Sequence, residues 1–259
     1  MRSLSLFRRI AFCLLAAACI VAPAVAAPAA SGVPAVKAAL QRMAPGVDIG
    51  RITKAPMPGF YQALVGGRMV YVSADGAWIM DGTLYDADRR VDLSARSMRA
   101  VRRKALAKEP ASAFITFGPA HPKHTVTVFT DLDCAYCRVL HKHMDEINAE
   151  GIAVRYLAWP RSGIKAVPSG KPTAAYLKAV SVWCAKDRKA AFTAAIGGAR
   201  MAPADCTNPV AREFHLGERI GVNGTPTIIA ADGTVLGGYL APKQLLRALQ
   251  ALDAGGQGD

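Results

Sequence analysis

Cys134-Ala135-Tyr136-Cys137 is the stretch that most restricts what this chain can become. An apolar run, Thr125-Val126-Thr127-Val128-Phe129, leads into it through a polar turn, Thr130-Asp131-Leu132-Asp133. Leu140, Met144 and Ile147 follow at helical spacing. Two cysteines two residues apart, where a strand gives way to a helix, read as a redox dithiol first and a metal clip second. The reason is electrostatic. A thiol in the first turn of a helix faces unsatisfied backbone N–H groups and the positive end of the helix dipole, and both favour thiolate. One turn later on the same face, the second cysteine can close a disulfide with the first.

The beginning of the chain reads as an export signal. Arg2, Arg8 and Arg9 form a basic start, Ile10 to Val21 is apolar but short for a membrane span, and Ala24-Val25-Ala26 offers a small-x-small cleavage site. Residues 1–26 are therefore expected to be a signal peptide cleaved near Ala26. Cys19, after Ala16-Ala17-Ala18, is the competing detail: a candidate for lipidation instead of removal. The signal holds three of the 32 basic residues and none of the 19 acidic ones, which leaves 29 against 19, a net +10. Such a balance suits acidic partners or a solvated basic face. No aromatic-interleaved basic patch accompanies it, so nucleic acid is not an expected partner. No later apolar run is long enough to span a membrane, and the mature protein is expected to be soluble. Four of six cysteines remain, Cys134, Cys137, Cys184 and Cys206, and four allow three pairings.

Val33, Val36, Leu40 and Met43 predict a short helix ended near Pro45-Gly46. Strand-like texture then runs from Asp48 to Leu93. Phe60 to Val65 and Arg68 to Ser73 flank Gly66-Gly67, a hairpin signal, and Asp75-Gly76 turns the chain into Ala77 to Met80. Tyr85 to Leu93 supplies one more expected strand. A sheet this small has edges that want covering, which invites dimerisation. Ser94 to Glu109 predicts a very basic helix, with Ser94 as its N-cap and Pro110 as its stop, that connects two domains. Beyond it, Phe114–Phe117, Thr125–Phe129, the helix after the cysteines and Ile152–Leu157 give a β-α-β order. Thr173 to Ile196 and Val210 to Ile220 are predicted helical. Thr227–Ala230 and Thr234–Leu236 flank an Asp232-Gly233 turn, and a last helix spans Pro242 to Leu252.

Three features bear on the chemistry. Gly224-Thr225-Pro226 falls just before a strand, where a proline is tolerated as an ordinary trans turn or in a cis peptide. Beside a dithiol, that loop leaves the Thr225 backbone free to pair with an extended substrate chain. Cys184 and Cys206 stand 22 residues apart, away from the motif; a disulfide between them, two free thiols, or a shared zinc site are the open readings. His141 and His143 follow the motif but do not share a helix face, and read as surface or supporting residues rather than metal ligands. No metal is expected.

Taken together, these stretches resemble the DsbC/DsbG family of periplasmic protein-disulfide isomerases. Met69-Val70-Tyr71-Val72 with Asp75-Gly76 and Gly82 to Asp86 carry the resemblance in the first half. Thr127 to Asp131 ahead of the cysteines, Val154 to Arg161, Trp183 to Asp187 and Gly221 to Pro226 carry it in the second. The resemblance implies an α+β chain: a thioredoxin fold with a helical insertion, preceded by a cystatin-like dimerisation domain and a linker helix. The expected divisions are 27–93 for the dimerisation domain, 94–112 for the linker, 113–254 for the catalytic domain and 255–259 for a disordered tail. It further implies Cys134 as nucleophile, Cys137 as resolving cysteine, Thr225 and Pro226 as a cis-proline loop, and Cys184–Cys206 as a structural disulfide.

The implied activity is isomerisation, or reduction, of non-native disulfides in misfolded exported proteins. It would be carried out in the periplasm by a homodimer without cofactor, kept reduced by a membrane thiol reductase resembling DsbD. A dithiol oxidase, a reductase of oxidised single cysteines and a holdase chaperone are the alternatives. Ala135 stands where the family pattern more often has Gly, and Asp133 puts a carboxylate beside the nucleophile. With Tyr136, these residues are expected to tune the redox potential, Asp133 by capping the helix or by raising the thiol pKa. The loop from Ile164 to Pro172 is longer than the family pattern.

Overall fold

Val36, Ala39 and Leu40 fall on one stripe of a helix that Pro34 helps to start, and burying that stripe organises the first half of the chain. The computed structural model describes residues 31–255. The expected signal peptide, Cys19 and residues 256–259 lie outside them. Helix α1 (Val33–Met43) packs on an antiparallel sheet of β1 (Thr53–Lys54), β2 (Phe60–Val65), β3 (Arg68–Ser73) and β4 (Ile79–Asp81), in that spatial order. Gly66 and Gly67, both at positive φ, make the tight turn between β2 and β3 and set Val65 opposite Arg68.

Alternation along β3 then divides its side chains. Val70 and Val72 join α1, while Met69 and Tyr71 face the other way and meet Met98. β1 and β4 are its edges, and at β4 Trp78, just before the strand, is 73% exposed and Met80 42% exposed. The segment expected as one strand from Tyr85 to Leu93 is instead two short strands, β5 (Tyr85–Asp86) and β6 (Val91–Asp92), paired with each other.

Helix α2 (Leu93–Leu106) begins one residue before the expected cap. Asp92 caps it, accepting the Ala95 N–H at 2.8 Å. Ser94 is buried instead: its hydroxyl lies 2.6 Å from that of Tyr71 and accepts the Leu84 N–H at 2.8 Å. Met98 packs on the first sheet, whereas Leu106, with Val101 and Ala105, packs into the second half. Arg102 adds a hydrogen bond from Nε to the Ile220 carbonyl at 3.0 Å. A basic helix is thus docked on both sides.

The second half is a five-stranded sheet in the order β11-β10-β8-β9-β7, comprising β7 (Ile115–Phe117), β8 (His124–Thr130), β9 (Ile152–Ala158), β10 (Thr227–Ala230) and β11 (Val235–Gly237). β8 and β9 are parallel, and their crossover contains α3 (Ala135–Lys142) and α4 (Met144–Ala149), separated at His143. The other pairings are antiparallel. Val128, Val154 and Ile228 face one core with Leu140 and Leu249; Phe129, Leu157 and Ile229 face the other with Phe214 and Ile220. A sheet buried on both faces is the thioredoxin arrangement.

The helical stretch expected from Thr173 to Ile196 breaks at Cys184. α5 (Ala174–Trp183) is capped by Thr173, and α6 (Arg188–Ile196) by Asp187. α7 (Val210–Arg219) and α8 (Pro242–Gly255) complete the chain, so Gly255 ends a helix rather than opening a tail.

Candidate active site

β8 ends at the buried Thr130, and the nucleophile loop is built on the next residue, the buried Asp131. Its Oδ1 accepts the Asp133 N–H at 2.7 Å, and its backbone carbonyl accepts the Cys134 N–H at 3.1 Å. Cys134 thereby takes the N-cap position of α3, with the helix running away beneath it. Cys137, one turn on, is wholly buried. Ala135 and Tyr136 between them are exposed, Tyr136 by 65%. Both cysteines are free thiols.

Pairing of Thr227 with Phe129 brings the residues before β10 against this loop. The Thr225–Pro226 peptide is cis. Cys134 Sγ donates to the Thr225 carbonyl at 3.2 Å, so this carbonyl is occupied by the thiol rather than free, as expected from sequence, for a substrate chain. The Thr225 hydroxyl is buried and makes no hydrogen bond while Cys134 is a thiol, which leaves it able to donate to the sulfur once that is ionised.

The two thiols are pushed apart. Burial raises the Cys134 pKa, but the Thr225 side chain, the Cys137 and Tyr136 backbone N–H groups and the Cys137 thiol outweigh it and bring the group below an ordinary thiol. Burial pushes Cys137 up to about 12, against the opposing hydrogen bonds of Thr130 and the Asp131 backbone. Such a pair has one group ready to ionise and one held as a thiol.

Of the two roles expected of Asp133, the cap is not made. Its side chain makes no cap; Asp131 organises the turn instead. Its carboxylate pairs with Lys178 Nζ of α5 at 2.6 Å, which offsets the repulsion it would exert on a neighbouring thiolate. Arg161, after β9, donates to Asp131 Oδ2 through its backbone N–H at 2.8 Å and its Nε at 3.1 Å. The Ile164–Pro172 loop springs from the same connection. It is pinned by the Thr173 hydroxyl to the Gly163 carbonyl at 2.7 Å, carries a cis Val167–Pro168 peptide, and exposes Val167 almost completely.

Away from the thiols, Cys184 and Cys206 form a disulfide with Cα atoms 5.8 Å apart, tying the end of α5 to the approach to α7. His141 is half-buried rather than at the surface, edge-on to Phe117 and Phe192, with Nε2 2.9 Å from the Thr193 hydroxyl; burial lowers its pKa to about 4. His143 pairs with Glu146. Among the described residues no group of three His, Cys, Asp or Glu side chains is placed to hold a metal ion.

Sequence reasoning passed over Arg161 and Lys178, which act through tertiary contacts, and Glu213. Fully buried, Glu213 accepts the Ala158 N–H at 2.7 Å through Oε2 and the Trp183 Nε1–H at 3.3 Å through Oε1; burial raises its pKa to about 8. Its spacing from Val210 and Gly217 on the apolar face of α7 is the signal that could have found it.

A thioredoxin fold with a cis-proline loop against an N-capping cysteine defines a thiol–disulfide oxidoreductase. A thioredoxin-like domain matches residues 111–253, and a disulfide bond isomerase protein N-terminal domain matches residues 22–95. The chain is 35% identical to the thiol:disulfide interchange protein DsbC of Dickeya dadantii (strain 3937), over 84% of this chain and 86% of that one. It is also 35% identical to DsbC of Escherichia coli (strain K12), over 77% and 80%. A disulfide interchange protein from Neisseria gonorrhoeae aligns structurally with a TM-score of 0.46 at 29% identity, over 55% of this chain and 99% of that one. The chain belongs to the DsbC family of thiol:disulfide interchange proteins, enzymes of thiol–disulfide exchange.

Proposed function

We propose that this protein isomerises non-native disulfides in exported proteins, with Cys134 as nucleophile and Cys137 as resolving cysteine. The observation that carries this is the asymmetry of the dithiol: one sulfur lowered in pKa and facing the Thr225-Pro226 loop, the other buried and raised. The Cys134 thiolate attacks one sulfur of a substrate disulfide; the S–S bond breaks, a mixed disulfide forms, and the second substrate sulfur leaves as thiolate. When another substrate thiolate displaces Cys134, the substrate is reshuffled with no net redox change. When Cys137 attacks instead, after losing its proton to solvent, the substrate leaves with both thiols reduced and Cys134–Cys137 is oxidised.

Reduction of that pair then falls to a membrane thiol reductase resembling DsbD. The export-signal pattern of residues 1–26 supports a periplasmic location. The match to the isomerase N-terminal domain and the exposed β4 edge support a homodimer, with residues 27–93 as the dimerisation domain, 94–112 as linker and 113–254 as catalytic domain. An exposed apolar surface there also suits a chaperone role for unfolded chains. Ala135 and Tyr136 line the approach to the sulfur and tune it by what they expose.

Refolding of scrambled ribonuclease by the reduced protein tests the reading. Cys134→Ser is expected to abolish the recovery of native enzyme; full recovery with that variant overturns the assignment.

A further inference from the structure

Two positive charges meet the nucleophile loop, Lys178 from α5 and Arg161 from the connection after β9, and the way Arg161 is held is specific. Arg161 makes three hydrogen bonds, all to the turn that carries Cys134. Its backbone N–H and Nε–H share Asp131 Oδ2, and its Nη2 reaches the Asp133 carbonyl at 3.4 Å. Asp131 is 4% exposed, and its other oxygen is taken by the Asp133 N–H. Both carboxylate oxygens are therefore held from within the fold, while the guanidinium, about half-exposed, reaches the peptide that leads into Cys134. A lysine ammonium offers a point charge and lacks the planar fork that lets Arg161 grip Asp131 and reach past it.

We propose that Arg161 is an electrostatic tuning residue for Cys134, with Asp131 as the positioning residue that clamps it: the guanidinium stabilises the thiolate and so sets the fraction of reactive enzyme at neutral pH. The inference rests on Cys134 being the nucleophile. The other charged groups facing Cys134 compose a near-neutral background. Asp133 is paired with Lys178, and Cys137 stays a thiol. Arg161 itself is held above the ordinary arginine range first by its hydrogen bond to Asp131, and further by the negative charges of Asp131 and of Cys134 once it is ionised. Coulombic coupling is mutual, so a thiolate that favours the guanidinium is favoured by it.

This goes beyond helix-terminus stabilisation in a way that can be measured. Peptide N–H groups in the first turn act at contact, whereas a half-exposed guanidinium acts through solvent and is screened by salt. Because it is half-exposed, the effect belongs at the lower end of what an opposite charge exerts, about one pH unit.

The test is the pH dependence of Cys134 alkylation in the reduced full-length protein, with the alkylated residue mapped by mass spectrometry, at low salt and at about 1 M salt. The variants are Arg161→Gln and Arg161→Lys, with folding checked by circular dichroism. The Arg161→Gln midpoint is expected to rise by about one pH unit, a tenfold loss of thiolate below it, and Arg161→Lys to fall between the two. The wild-type midpoint is expected to climb with salt while that of Arg161→Gln stays still. If Arg161→Gln shares the wild-type midpoint, or both respond equally to salt, Arg161 is only a structural tie and the inference is overturned. The wild-type salt response keeps the test decisive should Arg161→Gln not fold: a midpoint indifferent to salt overturns the inference by itself. Cys134→Ser separates the two levels. Retention of the reactive thiol in that variant sinks the nucleophile assignment, while its loss beside an unmoved Arg161→Gln midpoint sinks only the role of Arg161.

Discussion

Cys134 Sγ lies 3.2 Å from the carbonyl oxygen of Thr225, a residue 91 positions further along the chain. The contact exists because β10 lies antiparallel to β8 with Thr227 opposite Phe129, so the turn before one strand meets the turn after the other. It gives the two cysteines different surroundings although they share one helical turn. Cys134 has a polar loop in front of it, and Cys137 has only core behind it.

That difference sets the order of reaction. With Cys134 below an ordinary thiol and Cys137 pushed up to about 12, the thiolate fraction at neutral pH is far larger at Cys134, and the greater intrinsic nucleophilicity of a more basic thiolate recovers only part of the difference. At neutral pH iodoacetamide should alkylate Cys137→Ser, which keeps Cys134, much faster than Cys134→Ser, which keeps Cys137. Comparable rates would contradict the asymmetry.

Glu213 makes stability depend on pH with an unusual sign. Its folded pKa of about 8 lies above the ordinary 4.5, so between those values the native state holds a proton that the unfolded chain has released. Stability from this group is fully present below about 4.5 and is lost as the pH rises through 8, by a few kcal/mol at most. Urea unfolding from pH 5 to 8.5 should show the decline, and Glu213→Gln should remove the slope. The variant should also be less stable at pH 5, because glutamine accepts only one of the two hydrogen bonds. An unchanged slope would show that Glu213 is already ionised in the folded protein.

How much of this was legible in the sequence follows from the range of each interaction. Helix α1 and the Gly66–Gly67 hairpin depend on local periodicity and turn chemistry, and they appear where the pattern puts them. Ser94 was misread as a cap because capping residues are ambiguous by one or two positions; only the fold shows Asp92 at the helix start and Ser94 under Tyr71. The same ambiguity makes Asp133 a candidate cap by position, when the side chain that holds the turn before Cys134 is that of Asp131. The partners of both carboxylates, Arg161 and Lys178, are 30 and 45 residues away, and local pattern carries no information about them. The cysteine motif was readable because its strand–turn–helix context is continuous in the chain.

The Cys184–Cys206 link should matter for stability and not for exchange. Replacing both with alanine releases a loop of 22 residues and should cost roughly 3 kcal/mol in urea unfolding, with isomerase activity retained at temperatures where the variant is folded. Loss of activity in the folded variant would mean that this pair takes part in exchange.

The free edge at β4 should hold the proposed dimer together. An exposed edge strand bearing Met80 and preceded by Trp78 is an adhesive surface, and charge there opposes pairing. Trp78→Glu with Met80→Glu should sediment as a monomer where the parent is a dimer, with its dithiol chemistry intact. A variant that remains dimeric places the interface elsewhere.

The central claim is that Cys134 is the sulfur that meets the substrate, and trapping tests it most directly. Cys137→Ala removes the resolving thiol, so incubation with scrambled ribonuclease should accumulate a mixed disulfide that peptide mapping assigns to Cys134. Reciprocally, Cys134→Ala should accumulate none. A substrate adduct on Cys137 in the Cys134→Ala protein, formed as readily as the first, would contradict the account.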